Sequence, residues 1–149
     1  MASILRTNTE NEDFRALVSL LDAELAKRDG EEHGYYAQFN TIDKLHYAVV
    51  VFENNTPVAC GGLKHFEGSG VEVKRMYVLE EQRGKGFAQM VLGALEDWAR
   101  ESGCKRCVLE TGKRQPEAIR FYEKSGYSRI PNYGQYEGIE NSVCFEKHL

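Results

Sequence analysis

Residues 71–89, VEVKRMYVLEEQRGKGFAQ, decide how the rest of the chain is read. Residues 71–78 are rich in β-branched side chains and end in Met76-Tyr77-Val78, the composition of a strand. A short acidic turn follows, then Gly84 and Gly86 bracketing Lys85, with Arg83 in front. Behind them Phe87, Val91, Leu92 and Leu95 recur at helical spacing. A strand that feeds a helix through two glycines leaves backbone N–H groups with no local acceptor. With the positive end of the helix dipole, those donors make an anion site. Arg83 and Lys85 add full charge, and a phosphate or diphosphate is the anion expected. The competing reading is an ordinary strand–helix connection with basic decoration.

The chain has 149 residues, enough for one domain with its own core, and residues 1–149 are expected to form a single domain. Its net charge of −4, without a basic tail or stripe, argues against nucleic acid as main partner and suits an amine substrate. No apolar run is long enough to span a membrane. The first residues, MASILRTNTE, lack the charged and apolar regions of a signal peptide, so a cytoplasmic location is expected. Of the four cysteines, only Cys104 and Cys107 form a C-x-x-C. Zinc would need two more ligands nearby, so no metal is expected; Cys104 and Cys107 are either a redox pair or, as such cysteines more often are, reduced thiols that pack as small hydrophobes.

Outward from the glycine loop the elements fall into order. Residues 3–6 read as a short strand, and residues 11–28 as an amphipathic helix with Phe14, Leu17, Val18, Leu21 and Leu25 on one face. Residues 31–45 hold His33, Tyr35, Tyr36 and Phe39, either a loop packed by its aromatics or a substrate-facing lid with a short helix. Strands at 46–52, 58–66 and 71–78, joined by the turns 53–57 and 67–70, make an antiparallel meander. A helix over 85–102 closed by Gly103 leads to a strand at 106–110, which must be parallel to 71–78. A second helix covers 115–125, with Pro116 in its first turn and Gly126 after it. Strands at 127–130 and 142–147 complete a mixed sheet. The fold class expected is therefore α+β: an antiparallel meander joined to a parallel βαβ pair and flanked by helices.

The glycine loop fails two nucleotide signatures. Leu79 stands where a P-loop has its first glycine, and Gln89 where a dinucleotide fingerprint has its third. Instead, Arg83, Gly86 and Ala88 fill the pattern Q/R-x-x-G-x-G/A at a helix start, which resembles the GNAT superfamily of acetyltransferases. Gln115, Ala118, Phe121, Tyr122, Gly126 and Tyr127 follow that family's second helix, N-x-x-A-x-x-F-Y-x-x-x-G-F. Gln115 departs from the usual asparagine, which removes a good cap, and Tyr127 from phenylalanine. The resemblance covers residues 72–127, with both motifs separated by one βα crossover.

The resemblance implies that acetyl-CoA lies where the strands 71–78 and 106–110 splay apart. The pantetheine arm would pair with the main chain at Met76, Tyr77 and Val78, and the diphosphate would sit on the N–H groups of Arg83, Gly84, Lys85, Gly86, Phe87 and Ala88. Gln115, Ala118 and Phe121 would line the same cleft. A side chain at Gly84 or Gly86 would block that approach or forbid the dihedrals. The Arg83 side chain either adds charge to the site or is simply solvated.

The implied reaction is acetyl transfer to an amine, whose nitrogen must be neutral. At a pKa of about 10.4, only roughly one lysine-like amine in 2,500 is neutral at pH 7, so a base is useful. Glu72 stands where some family members carry a glutamate base; alternatively it is an exposed strand residue paired with Lys74 or Arg75. Glu110 and His65 are the other candidates. Tyr122 stands where the family keeps its acid, and otherwise packs beside the cofactor. The Val78 amide is a donor for the oxyanion. Tyr35, Tyr36, Tyr133 and Tyr136 either line an acceptor pocket or pack locally. The partners expected are a small-molecule or peptide amine acceptor, with a homodimer admitted and no nucleic acid or membrane. A non-catalytic coenzyme A sensor and a nucleotide-binding regulatory domain are the competing functions.

Overall fold

The computed structural model describes residues 1–29 and 45–149. The lid or loop expected before Leu45, with Tyr35 and Tyr36, lies outside them. The described elements are β1 (Ala2–Thr7), α1 (Glu12–Asp29), β2 (Tyr47–Glu53), β3 (Thr56–Phe66), β4 (Gly70–Val78), α2 (Phe87–Glu101), β5 (Arg106–Gly112), α3 (Pro116–Lys124), β6 (Ser128–Ile130) and β7 (Ser142–His148). Their strands form one sheet in the order β1-β2-β3-β4-β5-β7-β6. β1 to β4 are antiparallel, β4 and β5 parallel, and β7 runs antiparallel between β5 and β6.

Local chemistry sets the boundaries. Asn11 caps α1, its Oδ1 accepting the Phe14 N–H at 2.9 Å, with Glu12 and Asp13 in the first turn. Asn54 and Asn55 take φ of 50° and 68°, so the β2–β3 hairpin turns on two residues, and Thr56 and Pro57, expected in the turn, belong to β3. α2 begins at Phe87 rather than Lys85. Gly84 and Gly86 are left-handed, at φ 79° and 90°, and cannot continue a right-handed helix.

The sheet is covered on both faces. Phe14, Leu17 and Val18 of α1 pack on Ala48, Val50 and Cys60. On the other face Phe87, Val91, Leu92 and Leu95 of α2 and Tyr122 of α3 pack on Val49, Leu63, Val71, Val73, Leu109 and Phe145. At roughly 1.5–3 kcal/mol per fully buried Val, Leu or Phe, this second, larger cluster carries most of the apolar stabilisation.

Two features of β4 open the sheet. Its parallel pairing with β5 stops after Gly70↔Arg106, Val71↔Cys107 and Glu72↔Val108, although both strands run on. A bulge then follows: Lys74 faces Gly62 and Tyr77 faces Cys60, so Arg75 and Met76 together oppose Gly61. Arg75 sits at φ 59°, its guanidinium ion-paired with Asp22 of α1 and its carbonyl accepting from Cys60 Sγ at 3.4 Å. A Cβ at Gly61 would stand 2.7 Å from both Met76 Sδ and Val91 Cγ1, so only glycine lets α2 and the bulge close over β3.

Candidate active site

Where β4 and β5 part, a cleft of about 710 Å³ runs from the strands to the start of α2. Met76, Tyr77 and Val78 of β4, Arg83, Gly84 and Gly86 of the loop, Phe87, Ala88 and Gln89 of α2, and Gln115, Ala118, Phe121 and Tyr122 beside or on α3 line it. The size is that of a small-molecule site. The two sequence motifs therefore meet on opposite walls of one cleft.

The β4 wall offers main chain. The Leu79 N–H bonds to Val58 O on β3 at 2.9 Å, and Ala59↔Val78 and Cys60↔Tyr77 are the adjoining pairs. By the alternation of an antiparallel ladder, the main-chain groups of Tyr77 then face β3 and those of Val78 face the split. This corrects the expectation for Tyr77. It lines the cleft, but its amide is directed at its strand neighbour. Val78 O accepts from Arg83 Nε at 3.0 Å, which leaves the Val78 N–H as the donor turned to that side.

The loop wall offers donors. Met90 N–H is bonded to Gly86 O at 3.1 Å, and α2 has no side-chain cap. The N–H groups of Phe87, Ala88 and Gln89 precede the first intrahelical bond and carry the positive end of the dipole. Among the described residues, chain neighbours aside, no atom lies within 4 Å of a Cβ built on Gly84 or Gly86. Glycine is needed there for its dihedrals and not for want of room inside the protein. The basic side chains behave otherwise than expected. Lys85 is absent from the cleft wall, its Nζ donating to Gln82 Oε1 at 3.1 Å. Arg83 is not simply solvated: it donates to Val78 O and to Glu24 Oε1 at 2.8 Å and lies 5.5 Å above the Tyr77 ring.

On the α3 wall, Gln115 provides no side-chain cap, as expected of a glutamine in that place, and Pro116 takes the first helical position. Tyr122 is buried among Phe121, Tyr127 and Phe145, at ring separations of 5.1, 5.8 and 6.2 Å. Burial pushes its phenol well above the usual range, so the group is a neutral O–H donor at physiological pH.

Glu72 lies at the apex of the split, in the last parallel pair, and is not on the cleft wall. It alternates with Val71 and Val73, which pack under α2, so it faces the side of the sheet where α1 lies. At 3% exposure it is not the exposed strand residue that was the alternative. Glu72 Oε2 accepts from Tyr133 Oη at 2.7 Å and lies 3.4 Å from Lys74 Nζ, which itself donates to Tyr136 Oη at 2.8 Å. Burial lowers the Lys74 pKa, against the opposing pull of Glu72 and Glu110. Burial and then Glu72 push the Tyr133 phenol up, and burial with Glu110 does so for Tyr136. Tyr133 and Tyr136 thus complete a buried polar cluster around Glu72. His65 is exposed, its ring edge-on to His46 at 6.3 Å.

All four cysteines are free thiols, and burial pushes Cys60 up to about 12 and Cys107 and Cys144 to about 11, which suits packing residues. Among the described residues no helix is long and apolar enough to cross a membrane. The sequence reading missed Leu21 and Glu24 of α1, which also line the cleft. Nothing in the α1 pattern distinguishes a residue beside a ligand from one beside the core.

Residues 14–127 match the model of the acetyltransferase (GNAT) family. An acetyltransferase of Agrobacterium fabrum is 29% identical over 128 residues, 86% of this chain and 92% of its own. An IAA acetyltransferase of Azospirillum brasilense is 32% identical over 135 residues, 89% of this chain and 88% of its own. The crystal structure of a candidate acyl-CoA N-acyltransferase from Klebsiella pneumoniae superposes with a TM-score of 0.83 at 29% identity, covering 100% of this chain and 98% of that one. The PaiA N-acetyltransferase of Thermoplasma acidophilum, solved with coenzyme A, shares the fold at a TM-score of 0.74 and 17% identity, over 100% of this chain and 99% of its own. The chain belongs to the GNAT acetyltransferase family and is an acyl-CoA N-acyltransferase.

Proposed function

We propose that this chain transfers the acetyl group of acetyl-CoA directly to a primary amine in a ternary complex. The observation that carries the reading is the parting of β4 from β5 beside the uncapped start of α2, with Tyr122 on the facing wall. The diphosphate sits on the N–H groups of Gly84 to Ala88, and the pantetheine arm follows the open edge of β4 past Met76 and Val78. Binding of coenzyme A in the Thermoplasma neighbour supports this choice of donor. The amine approaches from the Glu72 side of the split.

Glu72 takes the amine proton, directly or through water, as the nitrogen lone pair attacks the thioester carbon. The C–N bond forms, the oxyanion is met by the Val78 N–H, and the C–S bond breaks. The departing sulfur accepts a hydrogen bond and then the proton from Tyr122, whose phenolate is reprotonated from solvent as Glu72 gives the amine proton up to it, so amine and acetyl-CoA become an amide and free coenzyme A. Buried Lys74 and Tyr133 hold the Glu72 carboxylate in place with charge-assisted contacts. The test is a panel of amines, amino acids and peptides incubated with acetyl-CoA, with free thiol and product mass as readouts. Thiol release matched to one acetylated amine class is expected. If coenzyme A and acetyl-CoA both raise the melting temperature while no amine releases thiol, the chain is a binding module and the proposal fails.

A further inference from the structure

One departure from the family pattern takes no part in the proposed chemistry: Tyr127 stands where phenylalanine is usual. Its hydroxyl meets a buried carboxylate. Tyr127 Oη donates to Glu96 Oε2 at 2.8 Å, and burial, with Cys107 and Glu96 adding to it, holds the phenol far above its usual range, so it stays a donor. Glu96 belongs to α2 and is buried on the face that carries Leu92, Leu95 and Ala99. Lys147 of β7 completes the cluster. Its Nζ donates to Glu96 Oε1 and Oε2 at 3.1 and 3.2 Å and to Ser125 O at 3.0 Å. Tyr127 and Lys147 thereby reach the C-terminal end of α3. Ser125 closes that helix, the Tyr127 N–H donates to Tyr122 O at 3.0 Å, and the two tyrosine rings stand 5.8 Å apart. α3 needs such anchors. It has 9 residues, no side-chain cap at its start, and Tyr122 as its buried residue. A helix of that length is not stable by itself.

We infer that Glu96, Tyr127 and Lys147 are positioning residues: they fasten the C-terminal end of α3 to α2 and β7, and so fix where the Tyr122 hydroxyl stands in the cleft. The inference rests on the proposed role of Tyr122 as the acid and extends it. The series of contacts is short. Glu96 holds the Tyr127 side chain, the Tyr127 main chain holds Tyr122, and Lys147 holds the carbonyl that ends the helix. The start of α2 lines the cleft as well, so one helix reaches both of its walls. Stability alone is a poor reason for such a cluster. A buried ion pair is often no more stabilising than well-packed apolar residues of similar volume, whereas satisfied buried hydrogen bonds fix direction.

The cluster is removed as a unit by Glu96→Leu together with Lys147→Met, which leaves no bare buried charge. Amide hydrogen exchange is followed first, on the chain without ligand. α3 should exchange about tenfold faster while β3 and β5 are unmoved, because the clamp is local. With acetyl-CoA and an amine acceptor, kcat should fall about tenfold while acetyl-CoA affinity in calorimetry stays within about threefold. In a Tyr122→Phe background the same pair of substitutions should cost less than about twofold in kcat, since both changes act through one hydroxyl. Unchanged exchange in α3, or an unchanged kcat despite a lower melting temperature, would make the cluster purely structural and overturn the inference. A tenfold loss repeated in the Tyr122→Phe background would overturn it as well. If the double variant does not fold, Tyr127→Phe takes its place, since it deletes only the hydroxyl and restores the family's usual residue. About threefold faster exchange in α3 and about a threefold fall in kcat are then expected, and no change in either refutes the clamp. A Tyr122→Phe variant with full kcat would instead sink the proposed acid role, while the exchange of α3 still reports on the clamp, so the two failures stay distinct.

Discussion

The two ends of β4 are built from one continuous strand and do opposite things. From Gly70 to Glu72 it is hydrogen-bonded to β5, and the buried polar side chains here and just beyond are bonded to tyrosines of the β6–β7 connection: Glu72 to Tyr133, Lys74 to Tyr136. From Met76 to Val78 it has left β5, and the main chain of Val78 is turned to the gap. The closed end holds charge in side chains, each buried and each with a partner. The open end holds partial charge in peptide groups, backed by the dipole of α2. A site that must accept and release a large anion is better served by the second arrangement. Main-chain donors fixed by a helix and two left-handed glycines need no rearrangement when a phosphate arrives. The closed end suits the opposite need, a single carboxylate kept in one place.

The sharpest way to break this comparison is to spoil the open end alone. Gly86→Glu must force a left-handed φ on a residue that resists it and place a carboxylate at the helix start, so acetyl-CoA affinity should fall by about a hundredfold or more in calorimetry. An unchanged affinity would put the phosphates elsewhere. Next come the two ends taken as a pair. Tyr122→Phe at the open end and Glu72→Gln at the closed end should each lower kcat by about a hundredfold while acetyl-CoA affinity changes less than about threefold. Equal loss of affinity and turnover in either would assign that residue to binding instead.

Smaller effects sharpen the boundary between the ends. Gly61→Ala crowds Met76 and Val91 beneath the bulge and should cost roughly 1–3 kcal/mol in urea unfolding. If stability is untouched, the bulge does not depend on that close approach. Tyr133→Phe removes one donor from the Glu72 carboxylate and should cost about 1 kcal/mol of stability. Its kcat should fall only a fewfold with KM unmoved; a rise in the acceptor KM larger than the fall in kcat would make Tyr133 part of the acceptor pocket.

Much of the frame was legible early because its signals are local. The period of α2, the two glycines before it and the crossover length imply a parallel pair next to an anion loop, and the sheet order agrees. The α2 boundary was read two residues early because a lysine between glycines is helix-compatible in composition, whereas the glycine dihedrals are not helical. The orientation of Tyr77 was misread for another reason: which side of a strand its amides face depends on the register with β3, and the bulge resets that register. Glu72 shows the same limit. Beside Lys74 and Arg75 it looks like one of a run of exposed charges, and its burial depends on Tyr133 and Tyr136 arriving from the distant β6–β7 connection.

The sequence by itself determined the class of this protein: a strand, two glycines and a helix are contiguous, so their geometry follows from local propensity and main-chain hydrogen bonding. Tertiary structure decided which charges reach the cleft. Arg83 finds Glu24, and Glu72 finds Tyr133, across 59 and 61 residues of chain. Charge interactions act through space, and the fold alone determines which distant side chains come within their short reach.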